Sequence, residues 1–106
     1  MKNCIFCKII AQQIPSQVIA QTENLLVIKD IVPQAPVHYL IMPKKHIANL
    51  MEISLVDIKL ASDIFLMAQN LAQNLPGNGD FRLTTNNGLS AGQSVFHLHF
   101  HFLAGF

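Results

Sequence analysis

The chain has few charged residues and no hydrophobic run long enough to cross a membrane. Charged side chains make up only 12% of its 106 residues, whereas 51% of the residues are hydrophobic. That composition is more apolar than the average soluble domain, so we expect part of the apolar surface to face a partner. A membrane span needs roughly 20 consecutive apolar residues, and every apolar run here is interrupted sooner by Lys, Asp, Gln or Pro. We therefore expect no membrane partner.

Two further absences concern location and nucleic acid. The N-terminus has no apolar stretch of the length that a signal peptide requires, which predicts a cytoplasmic protein. The net charge is only +1, and Lys44, Lys45 and His46 form the one local basic cluster. Such a weak basic patch predicts no binding to nucleic acid, because binding a polyanion requires many cationic contacts.

Cysteine is scarce as well, with Cys4 and Cys7 as the only two in the chain. In a reducing compartment a Cys-x-x-Cys pair suggests metal or redox chemistry rather than a structural disulfide. The redox interpretation needs a thioredoxin-like βαβ context, which the pattern around this pair does not show. Two buried free thiols are the remaining interpretation.

The hydrophobic pattern predicts one domain with an α+β fold. No repeat or linker divides the chain, and its length suits a single core. A short helix is predicted over residues 4–11, and a long helix over 54–75, beginning at the N-cap Ser54 with Asp57 three residues later and ending before Pro76. Strands are predicted over residues 18–21, 25–29, 37–42, 81–85 and 95–103. This order fits an antiparallel sheet covered on one side by helices.

The long helix has an apolar stripe that we expect to lie on the sheet. Residues on that stripe recur every three or four positions, as on one face of a helix. The predicted stripe consists of Ile58, Ala61, Phe65, Ala68, Ala72 and Leu75, widened by Ile64, Met67 and Leu71.

Three alternating histidines, His97, His99 and His101, carry the chemistry of the last predicted strand. Alternate side chains of a strand share one face, so the three imidazoles would line one side at a spacing of about 6.6 Å. Imidazole is largely neutral at cytosolic pH and can attack phosphorus, giving a nucleotidyl-imidazole that water then cleaves. The pattern alone also allows the three rings to hold a catalytic zinc with an open position.

The loop before this strand contains groups that bind phosphate in proteins. Gly88 and Gly92 allow the backbone to turn its N–H groups inward, and Ser94 adds a hydroxyl donor. Taken alone this is a weak signal, because turns between strands usually contain glycine.

The segment from Gly92 to His101, Gly-Gln-Ser-Val-Phe-His-Leu-His-Phe-His, resembles the signature of the histidine triad (HIT) family. Further matches to its branch of histidine-triad nucleotide-binding and protein kinase C inhibitor-like proteins lie at residues 6–10, 14–15, 30–38 and 43–47. The resemblance implies a single HIT domain over residues 1–106. It also implies a five-stranded antiparallel sheet with one long and one or two short helices, and a homodimer in which two sheets become one.

The resemblance further implies an enzyme that binds purine nucleotides and acts at the α-phosphate. The expected activity is that of a purine nucleoside phosphoramidase, or nucleotidyl hydrolase-transferase, which works through a covalent nucleotidyl-histidine intermediate. Two alternatives stay open: a dinucleoside polyphosphate hydrolase, and a nucleotide-binding regulatory or interaction module in which turnover is incidental.

Site residues follow from the resemblance by position. His99 would be the nucleophile, His101 would hydrogen-bond the phosphate and assist proton transfer, and His38 would support the histidine cluster. Ser94 and the backbone of residues 92–93 would hold the phosphate, while Asp30 would bind the ribose. The full set of nucleotide-binding residues implied is Asp30, Ile31 against the base, Asn86, Gly92, Gln93, Ser94, His99 and His101.

Some members of this branch also carry a structural zinc. Its ligands are an N-terminal Cys-x-x-Cys, the histidine after Pro-Lys-x and the first histidine of the triad. The matching residues here are Cys4, Cys7, His46 and His97, a Cys2His2 set of ordinary zinc ligands. A His97 engaged in this way could not join the other two histidines around a second ion, which disfavours the catalytic-zinc interpretation.

Overall fold

A computed structural model, which describes residues 3–106, has a five-stranded antiparallel sheet with helices on both faces. Met1 and Lys2, the start of the predicted domain, lie outside the described residues. The sheet order is β1-β2-β3-β5-β4, formed by β1 (Val18–Gln21), β2 (Leu25–Lys29), β3 (Val37–Pro43), β4 (Phe81–Thr84) and β5 (Phe100–Ala104). The helices are α1 (Ile5–Ile10) and α2 (Ile58–Gln73). The predicted α+β fold is confirmed.

Short 3-10 turns complete the described part of the chain. They lie at Leu50–Glu52, Leu55–Asp57 and Leu89–Ala91. Within residues 3–106, no helix is both long enough and apolar enough to cross a membrane.

The sheet separates two hydrophobic clusters, because side chains alternate between its faces. On one face α2 packs against a cluster that includes Leu25, Val27, Ile41 and Phe102. On the other face α1 packs, through Phe6, against Leu26, Ile28, Leu40 and Met42. The prediction of helices on one side only is therefore wrong. The central strands contain uninterrupted apolar runs, and such runs are buried on both faces.

The long helix begins later than predicted, and its buried face lies toward one side of the predicted stripe. Ser54 and Asp57 form the expected capping box, but residues 55–57 make a 3-10 turn and α2 proper starts at Ile58. Its buried side chains are Ile64, Met67, Ala68 and Leu71. Ile58 and Phe65, which were expected to lie on the sheet, are 61% and 59% exposed. Apolar residues surround much of α2, so periodicity alone could not identify the face that packs.

The last strand is shorter than predicted, Phe100–Ala104 instead of 95–103. Its register pairs Ile41 with Phe100 and Leu40 with His101, so a longer strand would pair Pro43 with Leu98. Proline has no N–H to donate to such a ladder. The N–H of Leu98 instead donates to the carbonyl of Ile47 at 2.6 Å.

The three histidines therefore do not alternate along one strand, and that prediction is wrong. His97 and His99 lie in an irregular segment, and only His101 belongs to β5. Each imidazole consequently has surroundings of its own.

Candidate active site and metal centre

A cavity of about 330 Å³ lies beside β5, between the segment that follows β2 and the loop that precedes the histidines. Its lining includes almost all the residues that the sequence assigned to catalysis or nucleotide binding, namely Asp30, His38, Asn86, Gly92, Gln93, Ser94, His99 and His101. Ile31 is the exception, because its side chain is 94% exposed and does not line the cavity. Val32, Gln34, Thr84 and Leu103 also line it, and none of them was assigned to the site from the sequence.

The ring of His99 is fixed by contacts on several sides. Its Nδ1 lies 2.7 Å from the carbonyl oxygen of His97, which can only accept, so Nδ1 carries the proton. The hydroxyl of Thr85 donates to the carbonyl of His99 at 2.8 Å, and the Phe6 ring stands nearly perpendicular to the imidazole, with centroids 5.0 Å apart. In its neutral form, His99 therefore has an unprotonated Nε2, whose lone pair can attack an electrophile.

His38 and His101 form a hydrogen-bonded pair with the opposite arrangement of protons. The backbone N–H of Gln34 donates to Nδ1 of His38 at 3.0 Å, which places the proton of His38 on Nε2. That Nε2 lies 2.9 Å from Nδ1 of His101 and 3.3 Å from a carboxylate oxygen of Asp30. Because Nδ1 of His101 accepts from His38, neutral His101 carries its own proton on Nε2. At Nε2, His101 therefore has an N–H that can donate a hydrogen bond, whereas His99 has a lone pair.

Burial keeps both of these histidines neutral. It lowers the pKa of His99 below the ordinary value of 6.5, against the opposing effects of the His97 carbonyl and Asp30. Burial likewise lowers the pKa of His101, and the neighbouring His99 and His38 lower it further. At neutral pH the site therefore contains one imidazole with a lone pair able to attack and one with an N–H able to donate a hydrogen bond.

Asp30 organises the segment that follows β2. One of its carboxylate oxygens accepts from the N–H of Val32 at 2.9 Å, and the other lies near Nε2 of His38. Its side chain is 19% exposed, at the mouth of the cavity, so the carboxylate remains accessible to a ligand.

Gln93 shapes the loop before the histidines through its side chain. It is 2% exposed, and its Oε1 accepts from the N–H of Gly88 at 2.9 Å. Its Nε2 donates to the carbonyls of Ala48 and Val95, at 2.7 and 3.0 Å. The amide of Gln93 thus joins both ends of the loop to the chain that follows β3, which the signature alone did not indicate.

The backbone of this loop also satisfies much of its own hydrogen bonding. The N–H of Gly92 donates to Leu89, and the N–H of Gln93 donates to Gly88, both at 3.1 Å. Gly92 has a φ of 96°, a left-handed conformation that favours glycine. Ser94 follows directly and is exposed at the cavity. Its hydroxyl is the loop group best placed to meet a ligand.

A second cluster, formed by Cys4, Cys7, His46 and His97, can hold a metal ion. The four ligand atoms lie within 4.8 Å of one another. Nδ1 of His97 is 3.4 and 3.5 Å from the two sulfurs, while Nδ1 of His46 is 3.2 Å from Nδ1 of His97 and 3.2 Å from Sγ of Cys7. A tetrahedral ion with ordinary zinc bond lengths requires separations of about 3.3–3.6 Å between such atoms. The residues present therefore fit a four-coordinate ion.

Contacts around this cluster favour the binding of a cation. His97 is fully buried, and its Nε2 lies 2.7 Å from the carbonyl of Pro43, which leaves the lone pair of Nδ1 facing the sulfurs. Metal-bound histidines commonly donate their other N–H to a carbonyl in this way. Burial raises the pKa of the Cys7 thiol to about 11, with Cys4 adding to the effect. A bound cation would offset that penalty on the thiolate.

Asp30, His38 and His101 form a triplet whose ligand atoms also lie within 4.8 Å of one another. The positions of the protons on its imidazoles disfavour metal binding. Ligation through Nε2 of His38 would move its proton to Nδ1. Nδ1 would then face the N–H of Gln34, so two donors would point at each other. The triplet is therefore better suited to passing protons than to holding an ion.

Comparison with known proteins agrees with this geometry. A family model described as scavenger mRNA decapping enzyme C-term binding matches residues 3–105. A HIT-like protein of Chlamydia trachomatis is 46% identical over 101 residues, which cover 95% of this chain and 91% of that protein. A HIT family hydrolase from Clostridium thermocellum has a TM-score of 0.95 and is 47% identical, and the match covers 100% of this chain and 93% of that protein. A HIT family hydrolase from Legionella pneumophila has a TM-score of 0.93 and is 42% identical, and the match covers 98% of this chain and 94% of that protein.

The sheet, the buried histidines and these similarities define a protein with the fold of known HIT hydrolases. The chain belongs to the histidine triad family. The predicted resemblance is thereby confirmed.

The metal cluster leads to a first prediction. Native mass spectrometry of the purified protein is expected to show about one bound ion per chain, because four ligands converge on one point. Cys7→Ser is expected to remove most of that ion, since a hydroxyl is a poor replacement for a thiolate ligand.

Asp30→Asn is the matched control, because it changes the other triplet. It is expected to leave the metal content at about one ion per chain. A folded wild-type protein that takes up no ion from a zinc-containing medium would contradict the assignment.

Proposed function

We propose that the protein is a purine nucleoside phosphoramidase, a nucleotidyl hydrolase-transferase that acts at the α-phosphate. The observation that supports this most strongly is the opposite protonation of two neighbouring imidazoles. His99 has an unprotonated Nε2, because its Nδ1 donates to His97, whereas His101 has a protonated Nε2, because its Nδ1 accepts from His38. The ring centroids of His99 and His101 are 5.1 Å apart, so both can reach one small reacting group.

The proposed reaction has two displacements at phosphorus. In the first, Nε2 of His99 attacks the α-phosphorus, the P–N bond breaks, and the leaving nitrogen takes a proton from solvent while Nε2–H of His101 donates a hydrogen bond to the reacting group. In the second, water attacks the nucleotidyl-His99 and returns a proton to solvent. Nucleoside monophosphate leaves, and both histidines return to their starting tautomers.

The remaining residues of the cavity would bind the nucleotide. The Ser94 hydroxyl is proposed to donate to an oxygen of the α-phosphate, on the loop that Gln93 holds in place. Asp30, whose carboxylate stays accessible, is proposed to accept from the ribose hydroxyls. Asn86 lies beside Gly92 on the same side of the cavity, and Ile31 offers an exposed apolar side chain for the base.

We propose that the ion at the second cluster is zinc and that its role is structural. Two thiolates and two imidazoles in a tetrahedral arrangement are a usual zinc set, and a closed set of four protein ligands leaves no position for substrate. When bound, zinc would supply a crosslink between α1 and the segments that contain His46 and His97. Thiols that remain reduced for this purpose agree with a cytoplasmic location.

We also propose a homodimer that joins two sheets across β4. This strand lies at the edge of the sheet, and its Phe81 is 41% exposed. Phe65, on the outer side of α2, is 59% exposed and lines the same groove as Phe81. An exposed apolar surface beside an open strand edge is the kind of surface that a second copy covers.

Loss of either reacting histidine is the first test of this function. On an adenosine phosphoramidate, His99→Ala is expected to lose at least about 10⁴-fold in kcat, because no nucleophile remains. His101→Ala is expected to lose about 10²–10³-fold, the usual contribution of one hydrogen-bond donor to charge that develops in the transition state. Steady-state kinetics measure both, and mass spectrometry of quenched wild-type reactions should detect nucleotidyl-His99.

Ser90→Ala is a suitable control, since Ser90 is exposed on the same loop but does not line the cavity. Its kinetics are expected to match those of the wild type. Undiminished turnover by His99→Ala would exclude the proposed mechanism.

The pKa directions of His99 and His101 predict the pH dependence. Because burial lowers the pKa of both, the neutral forms persist below the ordinary value. A profile of kcat/KM is expected to stay level from pH 8 down to about 6.5 and to fall only at lower pH. Because the pKa of His99 and His101 is lower in the folded chain than in the unfolded chain, the unfolded chain binds more protons at acid pH. The free energy of unfolding is therefore also expected to decrease as the pH falls below the ordinary pKa of histidine. An acid limb centred above pH 7 would contradict the burial argument.

Two neighbouring residues of α2 test the dimer. Phe65→Glu is expected to shift the mass measured by light scattering from two chains to one, because it places a charge in the proposed interface. Leu66→Glu is the matched control. Leu66 is 61% exposed but lines a different groove, beside the turn between β1 and β2. A wild-type protein of one-chain mass, or equal effects of the two substitutions, would refute this interface.

A further inference from the structure

Helix α1 connects the metal cluster to the proposed nucleophile. Cys4 is its N-cap, Cys7 lies in its first turn, and Phe6 lies between them. Phe6 is 6% exposed, and its ring is nearly perpendicular to two imidazoles, with centroids 5.0 Å from that of His99 and 5.9 Å from that of His97. One helical turn therefore contributes two metal ligands and an aromatic contact to the ring of His99.

A second connection runs through the backbone. His97 turns its Nδ1 toward the two cysteines, while its own carbonyl oxygen accepts from Nδ1 of His99 at 2.7 Å. The ring of His97 is held at its other nitrogen by the carbonyl of Pro43. The residue that belongs to the metal cluster is thus also the one that sets the tautomer of His99.

The first of these connections, through α1, is not strongly held by the rest of the chain. α1 has six residues, and a helix of that length is not stable by itself. Apart from Phe6, its apolar contacts with the sheet come from Ile9 and Ile10, which are only partly buried. An ion with ligands on α1, after β3 and before β5 would fix all three segments at once, and binding energy at such sites contributes directly to folding.

We propose that the metal cluster positions His99. With an ion bound to Cys4, Cys7, His46 and His97, the Phe6 ring and the His97 carbonyl hold the imidazole of His99 in one tautomer and one orientation. Phe6 does not line the cavity, so it acts on the reaction only through His99. The proposal rests on the proposed function where it calls His99 the nucleophile, but the effect on the ring is independent of any substrate.

Nitrogen-15 NMR of the histidine rings, recorded near pH 8, tests the positioning directly. In the metal-loaded protein, His99 is expected to show a single Nδ1–H tautomer. Removal of the ion with a chelator is expected to convert that signal to a mixture that includes the Nε2–H form, which free imidazole favours in water. Returning zinc should restore the single tautomer. Metal content is followed by native mass spectrometry.

Substitutions in α1 separate the aromatic contact from general packing. Phe6→Leu keeps an apolar side chain but removes the flat ring, so it is expected to mix the tautomers of His99 and to lower kcat by about 10-fold or more, with KM nearly unchanged. Ile10→Ala is the matched control, because Ile10 also packs α1 onto the sheet but has no ring that could make the contact of Phe6 with His99. It is expected to keep the tautomer and kcat of the wild type.

Three results would overturn the proposal. They are a single Nδ1–H tautomer and unchanged kcat after the ion is removed, an unaltered His99 signal in Phe6→Leu, and equal effects of Phe6→Leu and Ile10→Ala. If chelation unfolds the chain, Cys4→Ser provides a folded comparison, because serine keeps an N-cap acceptor while weakening ligation. Absence of turnover by metal-loaded wild type would contradict the proposed function, whereas the tautomer measurement would still decide the positioning.

Discussion

The missing N–H of Pro43 determines how the histidine segment is arranged. Because proline cannot extend the ladder between β3 and β5, the chain leaves the sheet before Phe100, and His97 and His99 are released from strand geometry. The carbonyl of the same proline then accepts from the His97 ring at 2.7 Å. One residue therefore ends the strand and also orients a metal ligand. The separate surroundings of the three histidines follow from that break.

Those surroundings give chemically identical side chains different properties. His97 presents a lone pair at Nδ1 to the cysteines, His99 presents one at Nε2 to the cavity, and His101 presents an N–H there. The partner that fixes each ring is an acceptor for His97 and His99, and a donor for His101. Backbone groups set most of these choices, at His97, at Pro43 and at Gln34. The chemistry of the site thus depends on the path of the main chain as much as on the side chains that line it.

The sequence predicted the fold class and four strands nearly to the residue, because strand alternation is a local property. The grouping of Cys4 with Cys7, His46 and His97 came from the family resemblance. It predicted the buried face of α2 too broadly and included Phe65, since Phe65 and Ile64 are both strongly apolar and only the tertiary structure buries one of them. It also missed Phe6 as a contact of His99 and the amide of Gln34 as a donor to His38. Those contacts join segments that are distant in the sequence, and no local pattern records them.

The register between β3 and β5 limits how chain length can vary during evolution. Leu40 pairs with His101, and both lie on the face of the sheet opposite α2. Insertion or deletion of one residue within β5 would turn His101 toward α2, because side chains alternate along a strand. The loop between β4 and β5 is not bound by this rule, but its length is limited by the Gln93 amide, which joins Gly88 to Ala48 and Val95. Relatives with the same site should therefore keep the length of both segments and differ in length elsewhere.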